Sequence, residues 1–425
     1  MILKENVTCM FCGCLCDDLK VKVEDGEITD VKNACVNGRS RILNHSKERI
    51  DKPKLRKEGE LVDVSFEEAI QEAVDILTNS KFPLIYGLSS TEVDAQRRAV
   101  ELAEKVGGTI DNTASFCHGP SILAIQASGA QEATLGEIRN RADLLIFWGC
   151  NPAEAHIRHP TRYSITPEGM YIPGRSDREI VNVDVRETKT SKMSDIFLKV
   201  EPDKDYELFS ALRASIKGYE VGGVGGVSSE EIEELADKMK NCDFGVIFFG
   251  LGLTLSAGIH VNVQGALDLV RDLNEHTKFV INPMRGHFNV TGANAVMTWT
   301  TGYPFAVNYS RGYPVYGPGE YTAIDVLVRK ECDSAMVIAS DPGAHFPASA
   351  SRHLADIPTV LIDPKKNATA PFADVVLPPA AAGIECEGTA YRMDGVPLEL
   401  DKIIDSDLPP DKEILEKIIQ KLEGS

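Results

Sequence analysis

The sequence predicts an α/β protein with doubly wound parallel sheets. After residue 80, short apolar runs alternate with glycine-, proline- or asparagine-rich breaks and segments of helical period. Such fully apolar runs are typical of parallel strands covered on both faces by crossover helices. The composition, 43% hydrophobic and 26% charged over 425 residues, is that of a globular protein. At roughly 150 residues per domain, this length allows two or three domains.

The predicted strands share a fully apolar centre and a turn-forming break at the carboxyl end. They are Pro83–Leu88, Leu144–Trp148, Ile180–Val185, Val246–Phe249, Phe279–Ile281, Ala335–Ala339 and Thr359–Ile362. The first is followed by a predicted helix over Thr91–Val106, whose apolar residues fall on one face.

Charge and cysteine usage exclude several classes of protein. The formal charge is −19 and no basic tract is present, which argues against nucleic acid and anionic membranes as partners. No apolar signal-peptide core follows Lys4 and Glu5, so we expect a cytoplasmic protein. Ten cysteines in such a chain argue against a disulfide framework, and five of them fall between Cys9 and Cys35. This crowding predicts a metal site.

The amino-terminal cysteines favour an iron–sulfur cluster. Cys9, Cys12 and Cys16 lie on one short loop, and Cys35 follows after a predicted hairpin. Four thiolates in this spacing predict a [4Fe–4S] cluster, with Cys14 as a bystander. A structural zinc site is the alternative, although zinc cysteines usually come as two C-x2-C pairs.

A second cysteine of interest is Cys117, followed by His118. The pair lies between the strand-like Thr109-Ile110 and a helix expected to begin at Ser121. Proximity to a helix amino terminus favours a thiolate, and a neighbouring histidine can transfer protons. Alone, such a pair is more often structural than catalytic.

Ligands of open α/β sheets bind beyond the carboxyl ends of the strands. The residues that we select there as candidates for cofactor binding are Gly149, Asn151, Asp184, Arg186, Gly250, Gly252, Asp341, Asp363 and Lys365. None of these loops matches the G-x-G-x-x-G fingerprint or a P-loop, which argues against an ordinary NAD or ATP site. Arg285 follows another predicted strand and can point into the same crevice.

The order of these motifs resembles that of the molybdenum and tungsten bis-pterin oxidoreductases, the dimethyl sulfoxide reductase and formate dehydrogenase group. The resemblance spans roughly residues 5–395 and ends with Glu387-Gly-Thr389. Four segments are similar, more specifically, to the tungsten or molybdenum subunit of the formylmethanofuran dehydrogenases. They are Cys12-Gly-Cys-Leu-Cys-Asp-Asp18, Cys117-His-Gly-Pro-Ser121, Asn282-Pro-Met-Arg-Gly-His287 and Thr301-Gly-Tyr-Pro-Phe-Ala306.

The resemblance implies two molybdopterin guanine dinucleotides at the strand-end loops and tungsten or molybdenum ligated by Cys117. It implies two Rossmann-like domains and a small iron–sulfur domain. We therefore expect an iron–sulfur domain at 1–55, with 375–400 as a candidate to complete it. An α/β domain with Cys117 is expected at 56–130 and 290–374, a pterin-dinucleotide domain at 131–289, and a tail or helix at 401–425.

Two departures from the family pattern bear on partners. Many relatives have lysine two residues after the last cluster cysteine, whereas this chain has Asn37. Only 36 residues follow Thr389, so we expect this chain to lack the carboxyl-terminal pterin-binding β-barrel of the family. We expect a small β-barrel subunit to supply it. The resemblance further implies an amidohydrolase-like subunit that binds methanofuran and ferredoxin-like iron–sulfur subunits.

The activity implied is reversible reduction of CO2 to formate for methanofuran formylation in methanogenesis. In this interpretation Arg285 holds the formate carboxylate through two hydrogen bonds and His118 handles the proton. A stand-alone formate dehydrogenase, a non-catalytic electron-relay scaffold and a zinc-stabilised interaction module are the alternatives. Arg311 is the alternative clamp for the carboxylate.

Overall fold

A computed structural model describes residues 1–424, which form two compact units. The first comprises residues 1–116, 287–392 and 397–424, and the second comprises residues 117–286 and 393–396. Each unit is described below by itself.

The strands fall into four sheets. In chain order they are β1 (Ile2–Val7), β2 (Leu19–Glu24), β3 (Glu27–Lys32), β4 (Lys54–Lys57), β5 (Glu60–Asp63), β6 (Pro83–Gly87), β7 (Thr109–Asn112), β8 (Leu144–Trp148), β9 (Glu179–Asp184), β10 (Ile196–Lys199), β11 (Phe244–Phe249), β12 (Lys278–Pro283), β13 (Val307–Asn308), β14 (Val315–Tyr316), β15 (Ser334–Ile338), β16 (Thr359–Ile362), β17 (Val375–Leu377), β18 (Gly388–Tyr391) and β19 (Pro397–Leu400).

The helices range from single turns to fourteen residues. They are α1 (Val36–Leu43), α2 (Phe66–Asn79), α3 (Val93–Lys105), α4 (Ala114–Cys117), α5 (Gly119–Ser128), α6 (Leu135–Arg141), α7 (Pro152–Ala155), α8 (His159–Arg162), α9 (Asp205–Ile216), α10 (Ser229–Asn241), α11 (Leu251–Thr254), α12 (His260–Leu273), α13 (Val290–Thr301), α14 (Ala323–Val328), α15 (Pro342–His345), α16 (Ala348–Asp356) and α17 (Asp411–Gly424).

The second unit is built on one five-stranded sheet with the order β10-β9-β8-β11-β12, and every neighbouring pair is parallel. Every residue of β8 and β11 is buried. Helices α5, α9, α10 and α12 contribute apolar residues to the core around them. The predicted parallel strands with covered faces are confirmed, and the common direction brings all five carboxyl ends to one edge.

The first unit contains a nine-stranded mixed sheet with the order β14-β13-β7-β6-β15-β16-β17-β4-β5. Its five central strands, β7 to β17 in this order, are parallel, and antiparallel strands flank them on both sides. Helices α2, α3, α13 and α17 pack on this sheet through small and branched apolar residues. The α/β class with parallel sheets is therefore confirmed.

The predicted hairpin after the first cysteines is present as β2 and β3. Asp25 and Gly26 at its tip both have positive φ, 52° and 84°, which is the geometry of a type I′ turn. A third strand, β1, pairs with β2 on its other side. The chain thus returns past the cysteine loop before Cys35.

The structure differs from the prediction in details of element boundaries. Strands β10 and β17 were not predicted, because runs of four and three residues give no periodic signal. Helix α5 begins at Gly119, two residues before the predicted start at Ser121. Pro120 occupies its first turn, where proline's missing N–H costs no hydrogen bond.

Within residues 1–424, no helix has the length and apolar character needed to cross a membrane.

One buried acid of the first unit lies at the start of α17. Asp411 is 5% exposed, and its Oδ2 accepts a 2.6 Å hydrogen bond from Thr91 Oγ1. Its Oδ1 is buried without a hydrogen-bond partner in residues 1–424. Burial raises the pKa of Asp411 to about 7, and the nearby Glu92 carboxylate adds to the rise. The folded state therefore holds a proton that the unfolded chain releases near pH 4.

We expect Asp411→Asn to stabilise the protein at pH 8, by about 1 to 3 kcal/mol, and to change stability little near pH 4. A raised folded-state pKa makes the free energy of unfolding fall as pH rises between the unfolded and folded pKa values, and asparagine removes that loss. Thermal unfolding at pH 5 and pH 8 measures the effect, with exposed Asp407→Asn as control. The prediction would be contradicted if Asp411→Asn changed the unfolding temperature by the same amount at both pH values.

Candidate active site

Loops at the carboxyl edge of the five-stranded sheet are joined by backbone hydrogen bonds. The N–H of Gly149, after β8, donates to Val183 O at 2.9 Å, and Gly250 N, after β11, donates to Trp148 O at 3.2 Å. Met284 N, after β12, donates to Phe249 O at 2.8 Å. The ends of four neighbouring strands, β9, β8, β11 and β12, therefore form one connected rim.

The loops after β8 and β11 approach each other closely because the residues at their contact are glycines, which have no side chains. A Cβ on Gly252 would lie 2.6 Å from the Gly149 Cα, and a Cβ on Gly250 would lie 2.6 Å from the Cys150 Cβ. Gly149 also has φ of +55°. Predicted as cofactor-binding positions, Gly149, Gly250 and Gly252 are placed together here, and their lack of side chains allows the close approach.

Cys117 is the last residue of α4 and lies directly before His118, the amino-terminal cap of α5. Its carbonyl accepts a 2.8 Å hydrogen bond from Thr254 Oγ1 of α11. Burial raises the pKa of the Cys117 thiol to about 11, against the opposing charge of Arg285. Burial therefore outweighs the helix-terminus effect expected from the sequence.

His118 is almost fully buried and is held on both sides. Its Nδ1 lies 3.2 Å from Ser121 Oγ, and the ring also hydrogen-bonds to the Met284 backbone. The ring packs edge-on against Phe249, with centroids 6.2 Å apart. Burial lowers the pKa of His118 to about 3, and Arg285 adds to the decrease. His118 is therefore neutral at physiological pH.

Arg285 is partly buried in the turn after β12. Its carbonyl accepts a 2.8 Å hydrogen bond from His156 Nε2, which fixes the backbone of the turn. The guanidinium interacts electrostatically with Cys117 and with Glu132. The structure thus brings together all three residues predicted to be catalytic, Cys117, His118 and Arg285.

Glu132 and His156 are residues near this site that the sequence prediction missed. Glu132 belongs to the segment after α5, and Asn282 fixes that segment to the end of β12 by a 2.8 Å bond to Ala133 O. His156 follows the single-turn helix α7. His156 has one signal in the sequence, which is that it follows a strand-end loop. Glu132 has no such signal, because its position depends on a contact between segments that are distant in the sequence.

The remaining candidates of the second unit lie along the same edge. Asn151 caps α7 and is bound by Thr190 Oγ1 at 2.8 Å. Asp184 ends β9, and burial raises its pKa although the N–H groups of Val185 and Arg186 donate to it. The Arg186 side chain is exposed.

Three candidates follow strands of the first unit. The Asp341 carboxylate accepts from Thr369 N and Oγ1 at 2.9 and 2.7 Å, so it closes a loop. Burial raises the pKa of Asp363 to about 7. Lys365 Nζ donates to the carbonyls of Asn44, at 2.8 Å, and Lys47, just beyond α1. Lys365 thus binds a helix end, where cations are favoured.

The strand that leads to α4 carries a fully buried carboxylate. Asp111 accepts hydrogen bonds from Ser115 Oγ at 2.7 Å, Ala306 N at 3.1 Å and Ala323 N at 2.8 Å. Ala306, at φ +50°, ends one of the segments that carry the family resemblance. Asp111 therefore fixes the turn that immediately precedes Cys117 in the chain.

The amino-terminal cysteines belong to the first unit, on the loop before β2 and at the start of α1. Cys9 N donates to Cys16 O at 2.9 Å, which closes their loop. Gly38 N, in the first turn of α1, donates to Cys35 Sγ at 3.3 Å. A Cβ on Gly38 would lie 2.8 Å from Cys9 Sγ and 3.7 Å from Cys35 Sγ. The glycine thus lies between these two sulfurs and leaves the space open.

Cys14 is buried and hydrogen-bonds to Cys12, which lowers the pKa of Cys12 and raises that of Cys14. Burial raises the pKa of Cys9, and the charges of the neighbouring cysteines raise it further. Across residues 1–424, no three cysteine, histidine or acidic side chains converge closely enough to hold a single metal ion.

Comparisons with known proteins agree with this architecture. The chain is 52% identical, over 98% of its own length and of the relative's, to a subunit of the tungsten-containing formylmethanofuran dehydrogenase 2 of Methanocaldococcus jannaschii. A structure of the formyltransferase/hydrolase complex FhcABCD from Methylorubrum extorquens with methylofuran contains a chain of similar fold. Its TM-score is 0.71 at 22% identity, over 88% of this chain and 99% of that one.

Acetylene hydratase from Pelobacter acetylenicus also shares the fold, with a TM-score of 0.73 at 14% identity over 99% of this chain and 69% of that one. No family model matches the sequence. Fold, site and relatives together define an α/β oxidoreductase subunit of the formate dehydrogenase-like metal–pterin class. Within that class, the chain belongs to the same subunit family as its relative in the tungsten-containing formylmethanofuran dehydrogenase. Membership implies a metal–pterin cofactor.

Proposed function

We propose that this chain is the catalytic subunit that reduces CO2 to formate, reversibly, for formylation of methanofuran. The observation that carries the proposal is the meeting of Cys117, His118 and Arg285 at the carboxyl edge of one parallel sheet. A thiol suited to a soft metal lies there beside a cation suited to a carboxylate.

Donors of both units fit the metal–pterin group: Cys117 in the second unit and the strand-end loops of each unit. Cys117 would hold tungsten or molybdenum, and two molybdopterin guanine dinucleotides would use the strand-end loops. That group, when bound, supplies the two-electron chemistry. Gly149, Asn151, Asp184, Arg186, Gly250, Gly252, Asp341, Asp363 and Lys365 are the proposed contacts. Among them, the partly buried carboxylates of Asp184 and Asp363 offer acceptors for guanine or ribose donors.

Arg285 and His118 act on the small carboxylate. The guanidinium would bind both formate oxygens, and its bonded turn reduces the cost of ordering it. His118 would handle the proton at Nδ1, the ring nitrogen that faces Ser121, and burial makes this ring a weak base that releases a proton readily. Burial of the His118 ring limits the access of water to that side of the site.

For electron transfer we propose one [4Fe–4S] cluster held by Cys9, Cys12, Cys16 and Cys35, in a domain formed by residues 1–55. The support is the donor set of four thiols, together with the space that Gly38 leaves beside Cys9 and Cys35. An amide at the start of α1 already points at Cys35, as it would toward a thiolate ligand.

We propose that other subunits complete the enzyme. A small β-barrel subunit would complete the pterin site, and ferredoxin-like subunits would deliver electrons. An amidohydrolase-like subunit would bind methanofuran and receive the formate. The support is the similarity of the fold to a chain of the formyltransferase/hydrolase complex, a multisubunit assembly crystallised with methylofuran.

Anaerobically purified protein is expected to contain about four irons in this domain, with the absorption and EPR signals of a [4Fe–4S] centre. Cys12→Ser should abolish them, because a cluster ligand is lost. Cys14→Ser should retain them. Zinc without iron would refute the cluster, and loss of iron in Cys14→Ser alone would assign that cysteine as a ligand.

Arg285→Lys is expected to keep metal and pterin but to lose about 2 to 4 kcal/mol of transition-state stabilisation, because lysine cannot form the paired hydrogen bonds. The measurement is formate oxidation by the purified complex with an artificial acceptor, together with metal analysis. Arg311→Lys, a change at an exposed arginine, is the matched control.

If formate turnover were normal in Arg285→Lys but lost in Arg311→Lys, Arg311 would be the residue that binds the formate carboxylate. Loss of metal in Arg285→Lys would assign Arg285 to cofactor binding. Absence of formate turnover in the metal-loaded wild-type complex would refute the proposed activity.

A further inference from the structure

Glu132 lies on a segment that is fixed on both sides to the end of β12. Ile281 N donates to Gln131 O at 2.9 Å. The Asn282 side chain donates to Ala133 O at 2.8 Å and accepts from Ala133 N at 3.4 Å. Glu132 is therefore held between two residues bonded to the strand that leads, three positions later, to Arg285.

Two charged side chains interact electrostatically with Glu132. Arg285 attracts its carboxylate, whereas Asp394 repels it. Asp394 is itself fixed, because its Oδ2 accepts a 2.6 Å hydrogen bond from Leu135 N. The Glu132 side chain retains contact with solvent. The arginine thus interacts electrostatically with both a carboxylate and a cysteine.

We propose that Glu132 is a positioning and specificity residue for the carboxylate site: its charge orients the Arg285 guanidinium and weakens its hold on monoanions. The inference rests on the proposed function and deepens it. A neighbouring carboxylate opposes the binding of anionic formate but acts little on uncharged CO2. Glu132 therefore favours release of formate over its retention.

The size of the effect follows from Coulomb's law. Charges separated by about 6 Å change anion affinity by roughly five- to twentyfold when the effective dielectric is about 30 to 60, between that of a protein surface and that of water. Salt reduces the change, because the Glu132 carboxylate is open to solvent.

The test compares E132Q with wild type in the purified complex. We expect the KM for formate and the inhibition constant of nitrate, a planar monoanion, to fall together by about five- to twentyfold. The KM for CO2 and the metal content should change less than about twofold. E132D keeps the charge and should restore the wild-type constants.

Glu137→Gln is the matched control, because it removes an exposed carboxylate of the same region that faces Arg141 at 3.7 Å. The inference would be overturned if the KM for formate and the inhibition constant of nitrate were the same in E132Q as in Glu137→Gln. Equal effects of E132D and E132Q would also overturn it, since they would show a role in shape rather than charge.

Equilibrium dialysis with radiolabelled formate separates this inference from the proposed function. Tighter formate binding in E132Q supports the role of Glu132 even if the wild-type complex does not turn formate over. Unchanged binding in E132Q, with normal turnover in wild type, refutes the role of Glu132 alone.

Discussion

The site depends on keeping a guanidinium beside a cysteine in a partly buried place. Withdrawing a charge from water is costly unless other groups compensate it. Here the compensating charge is that of Glu132, and His156 holds the backbone of the turn that carries the arginine. The same positive charge opposes protonation of His118 and favours ionisation of Cys117. One arginine therefore influences the protonation of both neighbours.

The fold makes this arrangement possible because the strands of the second sheet are parallel. Their carboxyl ends share an edge, so β8, β11 and β12 deliver their loops to one place. Contact between Gly149 and Gly252 lets two of these loops approach to backbone distance. A side chain at Gly252 would collide with backbone atoms, which cannot rotate away, and would separate the loops.

Much of the fold could be predicted from the sequence, because buried parallel strands leave continuous apolar runs; Leu144–Trp148 and Thr359–Ile362 are strands with those same bounds. Cys117 and Arg285 could be found because each stands beside a recognisable strand or helix boundary. Glu132 could not, since its place depends on the side chain of Asn282, which lies far away in the sequence. Lys365 was selected as a candidate for cofactor binding, and its contacts with carbonyls near α1 depend equally on tertiary structure.

The most direct test of the account is cofactor analysis of the complex purified anaerobically through this chain, with Cys117→Ala alongside. The account predicts tungsten or molybdenum together with pterin guanine dinucleotide and iron in the wild type. In Cys117→Ala it predicts weakened retention of the metal while the iron is kept. A wild-type complex with active partners but neither metal nor pterin on this chain would contradict it.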